Sequence, residues 1–123
     1  MYTIRTDKSK NRIYIVLGAI ETGEGETLVA GIKAETALLT PGFACVSDIT
    51  GFSILDPKEA VWADTALKTL ADAGMVRAVR VTGQKVDYLE TTEKYGYQVG
   101  IAETVEDADR ILDSLTMLVK AQE

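Results

Sequence analysis

The chain has no histidine and a single cysteine, Cys45, in 123 residues. Without histidine, neither a Ser-His-Asp or Cys-His catalytic set nor the usual histidine-containing zinc site can be built from this chain alone. One cysteine excludes an intramolecular disulfide, so nothing points to an oxidising compartment. Cys45 lies in an apolar run and reads as a small buried hydrophobe. Positive charge is also scarce: 13 Lys and Arg stand against 19 Asp and Glu, for a net charge of -6. That field repels phosphate backbones, and only Lys8, Lys10 and Arg12 cluster, which argues against nucleic acid and against anionic membrane surfaces. No apolar run approaches the roughly 18–20 residues needed to span a bilayer. The opening residues, MYTIRTDKSKN, lack the charged start and apolar core of a secretory signal, so the expected location is cytoplasmic, without membrane insertion.

What is present is the ordinary balance of a globular protein, 46% hydrophobic and 26% charged. The length suits a single domain over residues 1–123. Tyr2 to Thr6 and Arg12 to Leu17 read as strands around the polar turn Asp7-Lys-Ser-Lys-Asn11, an antiparallel hairpin. From Glu24 to Leu39, the positions Leu28, Val29, Ile32, Thr36 and Leu39 repeat at helical spacing, and Pro41-Gly42 ends the run. Phe43 to Ile49 is continuously apolar, as an interior parallel strand would be. A second helix follows from Pro57 to Ala73, stopped by Gly74. Val76 to Thr82 alternates as a strand, which sends Arg77 and Arg80 to opposite faces because three positions separate them. Lys85 to Tyr95 is expected to form a short helix closed by Gly96, before a strand from Tyr97 to Ile101. In the last helix Thr104-Val-Glu-Asp107 has the form of a capping box, and Ala108, Ile111, Leu112, Leu115, Leu118 and Val119 form an apolar stripe. Helices between successive strands predict an α/β fold: a mixed, mostly parallel five-stranded sheet with about four helices.

Several stretches invite a chemical reading. Gly18-Ala-Ile-Glu-Thr-Gly23-Glu24-Gly25 has the four-residue glycine spacing of a phosphate loop, but Glu24 and Gly25 stand where Lys and Ser/Thr are required. The run also lacks the third glycine of a dinucleotide fingerprint, leaving glycines that permit a tight turn into the helix. Asp48 and Asp56 form a potential acid pair across Asp48-Ile-Thr-Gly-Phe-Ser-Ile-Leu-Asp56. Asp56, however, suits a helix N-cap, with Pro57 at the first helical position and Glu59 closing a capping box. Asp48 ends an interior strand, where open α/β sheets place their sites, and equally suits bonding to the turn Ile49-Thr50-Gly51. Trp62 lies at the margin of an apolar helix face, fit for the core edge or for a partner or ligand surface. Tyr88, Tyr95 and Tyr97 cluster in the irregular segment and either pack it or line a cleft.

Pro41-Gly-Phe43, the strand ending in Asp48-Ile-Thr-Gly51, the following Phe52-Ser-Ile-Leu-Asp56, and the helix leading to Val76-Arg-Ala-Val-Arg-Val81 resemble the STAS superfamily, named for sulfate transporters and anti-sigma factor antagonists. The likeness is to small bacterial antagonist-like or lipid-binding-like proteins, and the element order agrees over nearly the whole chain. The resemblance implies an Asp-Ser pair whose serine a partner kinase phosphorylates, expelling a bound partner by charge. Here Asp56 matches the aspartate, but Pro57 and Lys58 follow, and Ser53 lies too early to take the role. The resemblance also implies a relation to lipid-transfer domains that enclose an apolar ligand.

The expectation is therefore a non-enzymatic regulatory or protein-binding module without the phosphoacceptor serine, acting through a surface that includes Asp48, Thr50, Ser53, Asp56 and Trp62. The alternative is a carrier or sensor of a small apolar, lipid-like ligand beside the same region. An enzyme using Asp48 with Asp56 or Glu59 ranks third, since no nucleophile and base come together. No cofactor, metal or catalytic residue is expected, and a homodimer is compatible with the sequence without being demanded by it.

Overall fold

The computed structural model describes the backbone of residues 1–122 and the side chains of residues 1–118. Its strands are β1 (Tyr2–Asp7), β2 (Arg12–Leu17), β3 (Ala19–Ile20), β4 (Ala44–Asp48), β5 (Ser53–Ile54), β6 (Arg77–Val81), β7 (Thr91–Thr92) and β8 (Gln98–Ala102). Its helices are α1 (Glu24–Thr36), α2 (Val61–Asp72) and α3 (Val105–Gln122), with a 3-10 turn at Pro57–Ala60 leading into α2.

The main sheet runs β1-β2-β4-β6-β8-β7. Strands β2, β4, β6 and β8 are mutually parallel, while β1 and β7 pair antiparallel at the two edges. The predicted α/β class stands, with six main-sheet strands rather than five among the described residues and three α-helices plus the 3-10 turn rather than four helices. Strand alternation divides the core into two layers. Ile13, Ile15, Cys45, Ala78 and Val99 face α1 and α2, where they meet Leu28, Ile32, Ala66 and Leu70. Tyr14, Val46, Val79, Val81 and Ala102 face α3 and meet Ala108 and Leu112. Buried on both sides, the central strands read as continuous apolar runs, which is what marked Phe43 to Ile49 as interior.

Ion pairs also dock α3 on the sheet. Arg12, 3% exposed, donates to Asp109 and Asp113, and the Tyr14 hydroxyl donates to Asp109 at 2.6 Å. Of the basic cluster of the first turn, Arg12 is thus spent inside the fold, while the exposed Lys10 reaches Asp113 at the surface. Thr104 Oγ1 accepts from the Asp107 amide at 3.1 Å, as the predicted N-cap requires. Leu118 is exposed rather than part of a buried stripe, and the side chain of Val119 lies outside the described residues.

The predicted helix over Lys85 to Tyr95 is absent. The chain runs irregularly to Glu90 and forms β7 against β8. Tyr88 and Glu90, two positions apart, turn the same way, as residues of an extended chain do and residues of a helix do not. The Tyr88 hydroxyl donates to Glu90 Oε2, Arg77 donates to both Glu90 oxygens, and the Tyr88 ring covers Gly100 so closely that a Cβ there would lie 2.3 Å from Cε1. Nor do the three tyrosines line one cleft: Tyr88 lies with the α3 layer, Tyr97 is buried in the opposite layer, and Tyr95 donates to Asp64 of α2.

Candidate functional site

At the C-terminal end of β4 the chain turns through Ile49 to Gly51. Asp48 Oδ1 accepts from the Thr50 amide at 3.1 Å and the Thr50 hydroxyl at 2.6 Å, a local turn that absorbs both side chains. Asp48 shares the strand parity of Val46 and so points to the α3 side, whereas its neighbours Ser47 and Ile49 line a cleft on the other side. The sheet thereby separates Asp48 from Trp62. Ser53 is exposed in β5, where its backbone pairs with Ala19 and the Ser53 amide donates to the Gly18 carbonyl at 3.2 Å.

Asp56 caps the 3-10 turn, accepting from the Lys58 amide at 3.0 Å, and its other oxygen accepts from the Thr22 hydroxyl at 2.7 Å. These two hydrogen bonds, the Thr22 hydroxyl foremost, hold its carboxyl below the usual aspartate range. Both of its oxygens are thus engaged within the fold, as an N-cap and a tie to Thr22. Glu59 does not close the predicted capping box. It is buried, and its Oε1 accepts from the Gly25 amide at 2.9 Å, capping the start of α1, where Gly23 has no side chain to offer. The acids at the head of α2 therefore tie it to the head of α1. Trp62 tightens the same junction, because its ring lies directly on Gly25: a Cβ there would fall 2.3 Å from Trp62 Cδ1.

Between this junction and the sheet lies a cleft of about 280 Å³. Its floor is Ile15 and Leu17 of β2, Ser47 of β4 and Arg80 of β6. Leu28 and Ile32 of α1 and Trp62, Ala66 and Leu70 of α2 form its walls, and Ile20, Phe52 and Ile54 lie around the small β3–β5 pair. The lining is aliphatic and aromatic except for Ser47, Glu59 and Arg80. Arg80 pairs only loosely, with Glu93 Oε1 at 3.6 Å, and lies close enough to Tyr97 to offset part of the upward push that burial gives that phenol. Arg77, by contrast, is taken up by Glu90 on the far side of the sheet, as the three-residue spacing predicts. Cys45, fully buried beside Ser47 on the same face of β4, has its thiol pushed up to about 11, by desolvation above all.

Of the residues singled out in the sequence, the structure places Trp62 at the cleft and Thr50, Ser53 and Asp56 along the loop that leads to it, with Asp48 on the opposite face. Ser47 and Arg80 belong to no site motif, although the alternation of β6 had already placed Arg80 apart from Arg77; Gly25 and Phe52 were read only as part of a glycine run and of the STAS-like stretch. Among the described residues, no three Cys, Asp or Glu side chains converge to hold a metal ion, and no helix is long and apolar enough to cross a membrane.

No protein-family model matches this sequence, and no curated protein matches it. A structural match does exist: the anti-sigma factor antagonist SpoIIAA in its unphosphorylated form, with a TM-score of 0.56 over 90% of this chain and 97% of that one. The fold is STAS-like. At 15% sequence identity the likeness lies in the arrangement of strands and helices, and side-chain roles have to be argued from this chain itself.

Proposed function

We propose that this protein is a non-enzymatic regulatory module that binds a protein partner through the loop and helix start between Thr50 and Trp62. The observation that carries this reading is a run of apolar side chains turned outward along one short segment. Phe52 is 38% exposed, Leu55 61% and Val61 64%, beside the half-buried Trp62. Isolated exposed apolar residues are unremarkable, but several on one segment, with an aromatic among them, fit a contact surface. The STAS-like fold supports the same reading, since the structural neighbour is an antagonist of another protein. Asp56 followed by Pro57, where the resemblance to the regulatory members would place a serine, supports a module without that phosphoacceptor.

The test is affinity capture from the native lysate with wild-type protein and with a Leu55→Asp, Val61→Asp double variant. Both positions are exposed, so the variant should keep its circular dichroism and melting temperature while losing the partner. Identical capture by both proteins would move the interface elsewhere.

A second reading is favoured by the cleft beneath Trp62: a carrier or sensor of a small, mainly apolar ligand. Its lining, apolar walls with a few convergent polar groups, is the usual character of a small-molecule site, and its volume falls just below the usual range, which suits a small ligand.

A further inference from the structure

We infer that the cleft takes an anionic amphiphile, an acyl chain of medium length whose carboxylate head sits on Arg80 and Ser47. This rests on the small-ligand reading and adds to it the chemistry of the head group. Ser47 and Arg80 are register partners on adjacent parallel strands and both face the cleft, so a hydroxyl and a guanidinium share one patch of an otherwise aliphatic floor. A guanidinium presents planar paired donors that match a carboxylate. In Arg12 and Arg77 that capacity is used internally: Arg12 donates to two aspartates and Arg77 to both oxygens of Glu90. Arg80 differs, because its carboxylate neighbour Glu93 stays at 3.6 Å, beyond hydrogen-bond length, and leaves donors for a third party.

The other charged group lining the cleft fixes the orientation. Glu59 is held at the head of α1 by the Gly25 amide, and its negative charge disfavours an acid head at that end. The chain then lies between α1, α2 and β2, among Ile15, Leu28, Trp62 and Leu70. Burying the tail's methylenes there suits a ligand held mainly by its tail and selected by its head.

Trp62 is the chain's one tryptophan and lines the cleft, so its emission reports occupancy directly. The full chain would be titrated with decanoate, decanol and decyltrimethylammonium, each below its micelle-forming concentration. Saturable binding is expected for decanoate, about tenfold tighter than for decanol, the advantage of a charge-assisted hydrogen bond. Arg80→Gln should abolish that preference, while Arg80→Lys retains part of it. The wild-type comparison of decanoate with decanol needs no variant and decides the matter by itself. Equal binding of acid and alcohol would overturn the head-group assignment and leave the apolar-ligand reading standing. Preference for the ammonium compound would overturn it in favour of a head site at Glu59. Failure of all three to bind would remove the small-ligand reading as well.

Discussion

Gly25 is a helical residue whose lack of a side chain is used by another helix. Its amide is taken by Glu59 and its Cα face is covered by Trp62. Gly25→Ala would put a methyl 2.3 Å from Trp62 Cδ1, so the indole must move away from α1. The expected result is a loss of about 1–3 kcal/mol, the usual cost of overpacking, despite the better helix propensity of alanine. Urea denaturation would measure it, and the Trp62 emission should shift to the red as the ring gains solvent. An unchanged emission maximum with unchanged stability would show that the contact is not needed. In the sequence, Gly23-Glu-Gly25 reads as a pair of glycines easing the start of a helix, and for Gly23, at φ 86°, that is right. For Gly25 the reason lies in Trp62, far along the chain, and local pattern carries no trace of it. Asp56 was legible because a cap is local; Glu59 was misassigned because its partner is in a different helix.

Among the elements, the stretch between β6 and β8 departs furthest from expectation. A chain with Val86, Tyr88 and Leu89 among polar residues, closed by Gly96, is compatible with a short helix; the side chains of β6 and β8 decide otherwise. Gly100 leaves room for Tyr88, and Arg77 holds Glu90. The Arg77 guanidinium, above all, holds Glu90 below its ordinary value of 4.5. A carboxylate whose folded pKa is depressed stabilises the protein fully above its unfolded pKa and loses that contribution as pH falls through the folded value. The linkage from Glu90 therefore acts below pH 4.5, where acid weakens the fold. Arg77→Met should be less stable than wild type at neutral pH and should show a flatter acid limb in a plot of urea midpoint against pH. Parallel acid limbs for the two proteins would remove the pair as a source of acid sensitivity.

At the scale of the molecule, one sheet serves two cores. Leu70 belongs to the α1–α2 layer and Leu112 to the α3 layer, but both rest on β4 and β6 through side chains of alternating direction. Neither layer can open without stripping one face of the same strands. Leu70→Ala and Leu112→Ala should each cost about 2–5 kcal/mol and lower a single cooperative transition, with calorimetric and van't Hoff enthalpies in agreement. A second transition in either variant would mean that the layers unfold separately. The cleft is a product of this same arrangement: α1 and α2 meet closely at Gly25 and Trp62 while the sheet beneath them carries Ser47 and Arg80.

The sequence by itself determined the order of the main elements, the class of the sheet, the caps at Asp56 and Thr104, and the opposite orientation of Arg77 and Arg80. All of these follow from spacing along the chain, because helical and strand periods set a side chain's direction without reference to its partner. Only the tertiary structure decided that Asp48 faces away from Trp62's cleft, that Glu59 caps a different helix, that residues 85–90 remain unwound, and that Arg80 faces apolar walls with its carboxylate neighbour beyond hydrogen-bond length. Each of these depends on which distant surface comes to lie opposite, and a period along the chain holds no information about that.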